Sequence, residues 1–487
     1  MAIPEEIRKM RPTWLGKATE VRFIGGHYYV YEISSRWDEN KRRPQKTTGR
    51  CIGKIVPEEG FIANQYYIDT YHQPGTESHV RHYGAVETLR QLGADIGEAL
   101  RYSFPDIWRQ IEVYALLRLV FSSTGKTMKY DYEHSWLSNV YPDIGVCDSS
   151  VKRMLEKLSM RQDAMEDFMR GFCRKGHKLI FDGTSIMCST SDSYVTNGYN
   201  SRAQYHDQYR LLYVFDRTSR APVFYRVLPG RMVDKAAFVE TIRRCSCPDA
   251  IIIADKGFHS KANLSYLMEK KLRFILPLQE NTTMIPPSFD EHDGDGRYDG
   301  RFTYKGRNIW YKVIPTGDRG NRIFIYQDDF RKAEYNPLFT ERQEKEYGEV
   351  PLTDKDILSN RRRGVFSFVS NLEGNAKEVY LDYKERWEIE NCFDYMKNSV
   401  VKKPLYAHDN ETIDAQCFIN HVALLYFYRL IRAMDDAGMK DEYSPDEVIR
   451  RGNNIYRISE YTGHKQLTEM TKEDAEIFRR LGVTLLA

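Results

Sequence analysis

Cysteine is sparse and without pattern in this chain. Eight cysteines are spread over 487 residues, and only Cys245 and Cys247 stand close together. No C-x-x-C pair and no Cys/His array is present, which excludes a zinc-ribbon or dithiol reading and points to reduced thiols in a cytosolic protein. Long apolar runs are missing too. The most apolar one, "CFINHVALLYFYRLI" (417–431), is broken by Asn420, His421 and Arg429. It is too short and too polar to span a bilayer and reads as a core helix. The start, "MAIPEEIRKMRP", has no apolar signal-peptide core. Net charge is only +3, so global charge selects no partner. A soluble, cytoplasmic protein with no membrane partner is expected, and the length allows about three domains.

Charge is uneven where it matters. Residues 1–54 hold twelve Lys or Arg against six Asp or Glu, and "KRRPQKTTGR" (41–50) has five bases and no acid. Such a run suits a solvated turn or a phosphate backbone, with Lys41, Arg42 and Arg43 as the candidates for contact. Residues 20–56 alternate as a β-hairpin around a polar turn at 38–47. Residues 83–175 read as helices. The expected order from 177 is β-β-β-α-β-α-β, a meander leading into α/β crossovers. Residues 280–364 interrupt it with added strands and a charged loop. A last strand (365–372), a charged helix, a long apolar helix and a tail follow. That tail closes in a short helix with Thr471 as N-cap and Gly482 past its end.

Three carboxylates stand out. Asp182 closes the run "KLIFD" and Asp255 closes "AIIIAD". An ionised group at the end of a buried strand is costly unless paired or metal-bound, although a turn-forming Asp before glycine is the plain alternative. The third is Glu390 in "YKERWEIENCFDYMKN" (383–398). At about 100° per residue, Tyr383, Arg386, Glu390 and Lys397 share a stripe about 60° wide beside an apolar one. An i, i+4 pair of Arg386 with Glu390 is the plain reading of that stripe. Asp216 also ends a strand run, but the turn "DRTSR" accounts for it. His259, at a helix entry, reads as structural.

Tyr383, Arg386, Glu390 and Lys397 reproduce the spacing Y-(2)-R-(3)-E-(6)-K without error. In this the chain resembles the DDE transposases of bacterial insertion sequences; "IFDGTS" and "IADKGFHS" are similar to that family's two Asp segments. The resemblance covers residues 175–435. It implies an α/β fold with a ribonuclease-H-like mixed sheet and flanking helices, interrupted by a β-rich insertion, plus a small N-terminal β module and a helical region. The expected division is 1–80 (basic β module), 81–175 (helical, end recognition), 176–279 with 365–437 (catalytic), 280–364 (insertion) and 438–487 (helical tail).

The resemblance also implies roles. Asp182, Asp255 and Glu390 would be catalytic and would hold two Mg²⁺ or Mn²⁺ ions. Tyr383, Arg386 and Lys397 would bind DNA phosphates, and Trp310 and Phe366 are candidates to stack a displaced base, with core packing the plainer reading of each. The partners would be double-stranded DNA, at element ends and target, and a second copy of the chain on paired ends. The activity would be metal-dependent strand cleavage and strand transfer by cut-and-paste, in the cytoplasm or on the nucleoid. The alternatives are a ribonuclease-H-like nuclease or resolvase without strand transfer, a non-catalytic DNA-binding derivative, and a glycosidase. The basic neighbours Arg386 and Lys397 oppose the last.

Overall fold

The structure is a computed structural model. It describes the chain except residues 1–2, 13–17, 39–42, 58, 72–78, 189–194, 200–204, 231, 233, 280–281, 287–288, 290–296, 317–319, 331–363, 402–409, 460–464 and 486–487. The expected charged loop within 331–363 and the bases Lys41 and Arg42 therefore lie outside the described residues.

The chain forms two compact units. One gathers residues 1–92, 129–144 and 433–487, and the other gathers 93–128 and 145–432. In the first, β1 (Thr19–Ile24), β2 (His27–Asp38), β3 (Arg43–Val56) and β4 (Gly60–Ala63) make an antiparallel sheet in that order. Its alternating residues Val21, Val30, Ile52 and Ile55 bury one face against Ile7 and Tyr67. The hairpin strands run further than their sequence suggests, to Asp38 and from Arg43, so the expected turn at 38–47 is partly strand. A second small sheet joins β5 (His79–His82) to two strands in the tail, Tyr456–Ser459 and Lys465–Leu467. The closing helix, Lys472–Arg480, has the expected ends. Thr471 accepts the Asp474 N–H at 3.0 Å, and Gly482 takes φ +71°.

The second unit holds a ten-stranded mixed sheet. Its centre is β6 (Lys178–Met187), flanked on one side by β8 (Tyr205–Asp216) with β7 (Thr196–Tyr199) and β9 (Ala221–Pro229). On the other side β10 (Ile251–Ala254) and β11 (Arg273–Pro277) run parallel to β6. The order β9-β8-β6-β10-β11 is the ribonuclease-H-like arrangement, three antiparallel strands followed by two parallel ones. Parallel strands need crossovers, supplied here by helices α1 (Asp234–Cys245) and α2 (Lys261–Glu269). The β-rich insertion joins this same sheet. Strands β12 (Gly300–Tyr304), β13 (Arg307–Pro315) and β14 (Arg322–Asp328) extend it through β15 (Val365–Ser370), which pairs antiparallel with β11. Strand β15 leads to α3 (Ala376–Lys384) and α4 (Trp387–Tyr395), and then to the long helix α5 (Asn410–Asp436). No helix among the described residues is long and apolar enough to cross a membrane.

Helix α5 carries His421 fully buried against Tyr213 and Tyr225, with ring centroids 5.9 and 5.2 Å away. Neither ring nitrogen finds a hydrogen-bond partner among the described residues. Burial holds its pKa down at about 3. The folded state thus keeps His421 neutral while the unfolded chain takes a proton below about pH 6.5. Stability present above that pH is lost progressively as pH falls towards 3, by about 2 kcal/mol at pH 5. Denaturant titrations of the wild type and His421→Phe at pH 8 and pH 5 should show this extra acid loss in the wild type alone.

Candidate active site

Asp182 and Asp255 are brought side by side by strand register. Strands β6 and β10 pair in parallel with Phe181 opposite Ala254, so the next residues are the two acids. Burial to this point is nearly complete: Leu179, Ile180 and Phe181 on one strand and Ile252, Ile253 and Ala254 on the other are buried. Strand β10 ends at Ala254, and Asp255 enters a short 3₁₀ turn, its carbonyl accepting the Phe258 N–H at 3.0 Å. Strand β6 continues past Asp182, which pairs with Tyr213 on its other side.

Glu390 arrives from α4, and the approach begins after β15. An Asn375/Glu378 capping box opens α3, with reciprocal bonds of 3.0 and 3.1 Å. Three ion pairs then fasten this helical segment to the sheet: Lys178 with Asp382, Arg217 with Glu385 at 2.7 Å, and Arg386 with Asp182 at 2.8 Å. The first two pairs have no local signal in the sequence, their partners lying 204 and 168 residues apart.

The segment 383–397 is not one continuous α-helix. Helix α3 ends at Lys384, and Arg386 sits in the connecting turn as the N-cap of α4. There the bonds tighten to i→i−3, Arg386 N–H to the Tyr383 carbonyl at 3.0 Å and Ile389 N–H to that of Arg386 at 3.1 Å. Lys397 lies in a π turn (Met396–Val400), closed by the Val401 N–H on the Met396 carbonyl at 2.7 Å. The even run of 100° steps is therefore interrupted twice, by the tightened turn at Glu385 and Arg386 and by the π turn at Met396–Val400.

At the tightened turn Arg386 links the acids. Its Nη1 donates to Asp182 Oδ2 at 2.8 Å and its Nη2 to Glu390 Oε1 at 2.6 Å. The plain i, i+4 pair with Glu390 thus exists, but as one arm of a fork whose other arm holds a strand acid. Tyr383 extends the chain of contacts, its hydroxyl donating to Asp255 Oδ1 at 3.4 Å, with its ring 4.2 Å from that of Phe368. The electrostatics agree with the geometry. Burial acts to lower the pKa of Arg386, but Tyr383, Asp182, Asp255 and Glu390 together hold it raised. Asp182 is pushed up to about 6, chiefly by burial; Arg386 and the Gly183 N–H oppose this, and the fields of Asp255 and Glu390 add to it. Burial likewise raises the Tyr383 hydroxyl, so it stays a donor at neutral pH.

The donor set is carboxylate oxygen, which suits hard divalent cations. Among the described residues no three acidic, His or Cys groups stand ready at ligating distance of one point. Asp182 and Glu390 are instead gathered around the Arg386 guanidinium. Glu390 is 56% exposed and Asp182 17%, so the cluster opens to solvent on its α4 side. Lys397 is exposed, and among the described residues no ion pair joins it to the three acids.

The remaining sequence candidates are occupied otherwise. Asp216 is fully buried and builds its turn, accepting from Thr218 N–H at 2.9 Å, Ser219 Oγ at 2.7 Å and His177 Nδ1 at 2.6 Å. Trp310 donates to Asp329 at 2.9 Å, and Phe366 stacks on Tyr326 at 5.5 Å.

No curated protein sequence matches the chain. Among solved structures it is similar to a piggyBac transposase synaptic complex with hairpin DNA, determined by cryo-EM. The identity is 12% and the TM-score 0.41, with 78% of this chain and 82% of that one covered. A family model, the transposase DDE domain, matches residues 174–426, from just before β6 to the middle of α5. That match takes in both strand acids, the helical segment that carries Arg386 and Glu390, and more than half of the chain, which therefore belongs to the DDE transposase family.

Proposed function

We propose that this transposase binds the ends of an insertion sequence and cuts and rejoins DNA there by cut-and-paste, with Asp182, Asp255 and Glu390 as its catalytic carboxylates. The observation that carries this reading is the Arg386 fork, on which all three acids act and which bonds two of them directly. In place of that one cation the three carboxylates would hold divalent ions, two Mg²⁺ or Mn²⁺ as the resemblance implies, with water or DNA oxygens completing their shells. Bound there, such ions polarise a phosphodiester and activate a water or 3′-hydroxyl.

The chain's own residues do the rest. Asp182, partly desolvated, favours any neighbouring positive charge, and Glu390 faces the side from which DNA can approach. Arg386, once its carboxylates have other partners, presents a planar two-point donor to a phosphate. Tyr383 remains protonated and holds Asp255 in place. Lys397 adds a point charge along the same approach. The DNA partner, the homodimer on paired ends and the recognition of ends by residues N-terminal to the catalytic sheet belong to this proposal.

Arg386 and Lys397 should separate under mutation. Arg386→Ala should lower nicking on the order of a hundredfold while end binding and cooperative folding persist. Arg386→Lys should recover only part of it, because an ammonium cannot reproduce the fork. Lys397 should tolerate Arg better than Ala. Nicking, duplex binding and melting temperature, measured together for these variants, test the assignment; wild-type nicking by Arg386→Ala would make the fork purely structural.

A further inference from the structure

Among the described residues, no further strand pairs with the outer half of the β2–β3 hairpin. Strand β1 pairs with β2 only over residues 27–32, and the last bond runs from the Ile33 N–H to the Ala18 carbonyl at 2.9 Å. Strand β4 pairs with β3 only over residues 53–56. Beyond these limits the two strands pair with each other alone, from Ile33 opposite Thr48 out to Asp38 opposite Arg43. Residues 34–37 and 43–50 are exposed, Trp37 by 61%. A two-stranded ribbon that buries no core among the described residues is marginal in water by itself, so its length calls for a reason outside folding.

Register sorts its side chains into two faces. One carries Ser35, Trp37, Lys46 and Thr48, and it is tied back to β1: Lys46 pairs with Glu20, and Arg22 bonds Glu20 and Thr48. The other carries Ser34 opposite Thr47 and Arg36 opposite Gln45, with Asp38 and Arg43 in register at its end. Arg36 and Arg43 bond to no described residue on this face. A bulge at the root sets Gly49 and Arg50 against Glu32, since Tyr31 pairs with Cys51 and Ile33 with Thr48. Bulges bend and twist a ribbon away from its parent sheet, and a side chain at Gly49 would crowd Glu32, its Cβ 3.1 Å from that of Glu32.

We infer that this ribbon enters the major groove of duplex DNA and reads base edges with Arg36 and Gln45, flanked by Ser34 and Thr47, with Arg43 on a phosphate. This rests on the reading of the chain as acting on duplex DNA. The groove, about 12 Å wide, admits a two-stranded ribbon. Five strand residues span about 17 Å, enough to follow it across several base pairs. Arginine and glutamine are the side chains whose paired hydrogen bonds fit the guanine and adenine edges, and hydroxyls on either side can bond any base. The opposite face, with its cation committed to Glu20, is suited to holding the ribbon in position rather than to reading.

The full chain is incubated with a pool of random-sequence duplexes at about 0.15 M salt, and the bound fraction is sequenced. The comparison set is Arg36→Ala with Gln45→Ala on the reading face and Ser35→Ala with Trp37→Ala on the other, each checked for native circular dichroism and melting. The wild type should enrich one motif. The reading-face variant should lose preference at two or three adjacent base pairs and bind the wild-type motif about ten- to a hundredfold more weakly. Its log–log salt slope should change by no more than about one, since phosphate contacts persist. The other variant should keep the motif. An unchanged motif and affinity in the reading-face variant overturns the ribbon as reader and leaves the transposase reading intact, as does duplex binding by the wild type without any motif. A wild type that binds no duplex at all overturns both.

Discussion

Replacing any one of Asp182, Asp255 and Glu390 by Ala should reduce metal-dependent nicking at the element's end on the order of a thousandfold. Metal assistance supplies several kcal/mol of transition-state stabilisation, and losing one ligand forfeits most of it. Double and triple replacements should cost little more than single ones, because groups that act as one unit are strongly non-additive. Duplex binding should stay within a few fold of wild type, since the acids themselves repel phosphate. Gel-resolved nicking of a plasmid carrying the coding region's own flanks, beside a binding titration, checks both halves. A variant with near-normal cleavage removes its residue from the unit.

The second large effect concerns stability and has the opposite sign from the loss of activity. Asp182 has its pKa raised to about 6, chiefly by burial, from an ordinary 3.8. Between these values the unfolded chain releases the proton first, so stability falls as pH rises through the window and stays low above pH 6. In metal-free buffer Asp182→Asn should therefore stabilise the protein above pH 6 by up to about 3 kcal/mol. It should do little below pH 4. A gain of this kind together with lost cleavage is what a residue strained for function shows. Denaturant titrations at pH 4, 5, 6 and 8 in chelator should trace the difference; equal wild-type and variant curves would mean that Arg386 already compensates the carboxylate fully.

How far the sequence reaches depends on the range of the interaction. Asp182 and Asp255 were legible because each follows an apolar run that can only be a buried strand, and parallel pairing of those strands does the rest. The Thr471 cap and Gly482 were legible because capping chemistry is local. The break at Glu385 and Arg386 has no such local mark. A 100° projection presumes one unbroken helix, and nothing at 383–387 is a glycine or proline that would warn of a break. Around that break Arg386, Glu385 and Asp382 pair with three distant residues of the sheet region. The merging of β12–β14 with the ribonuclease-H-like sheet is hidden for the same reason, since the alternation that marks a strand does not name its neighbour. The ribbon resembles a turn in composition, because polar, basic residues mark loops, whereas they form paired strand here.

If Asp182, Asp255 and Glu390 jointly hold the divalent ions used to cut DNA, tight metal binding should need all three. Electron paramagnetic resonance titration of Mn²⁺ into the full chain bound to a flank duplex measures this. About two tightly held ions per chain are expected in the wild type, with clear loss of tight binding in each of Asp182→Asn, Asp255→Asn and Glu390→Gln at unchanged duplex affinity. Wild-type Mn²⁺ stoichiometry and affinity in all three variants would contradict it.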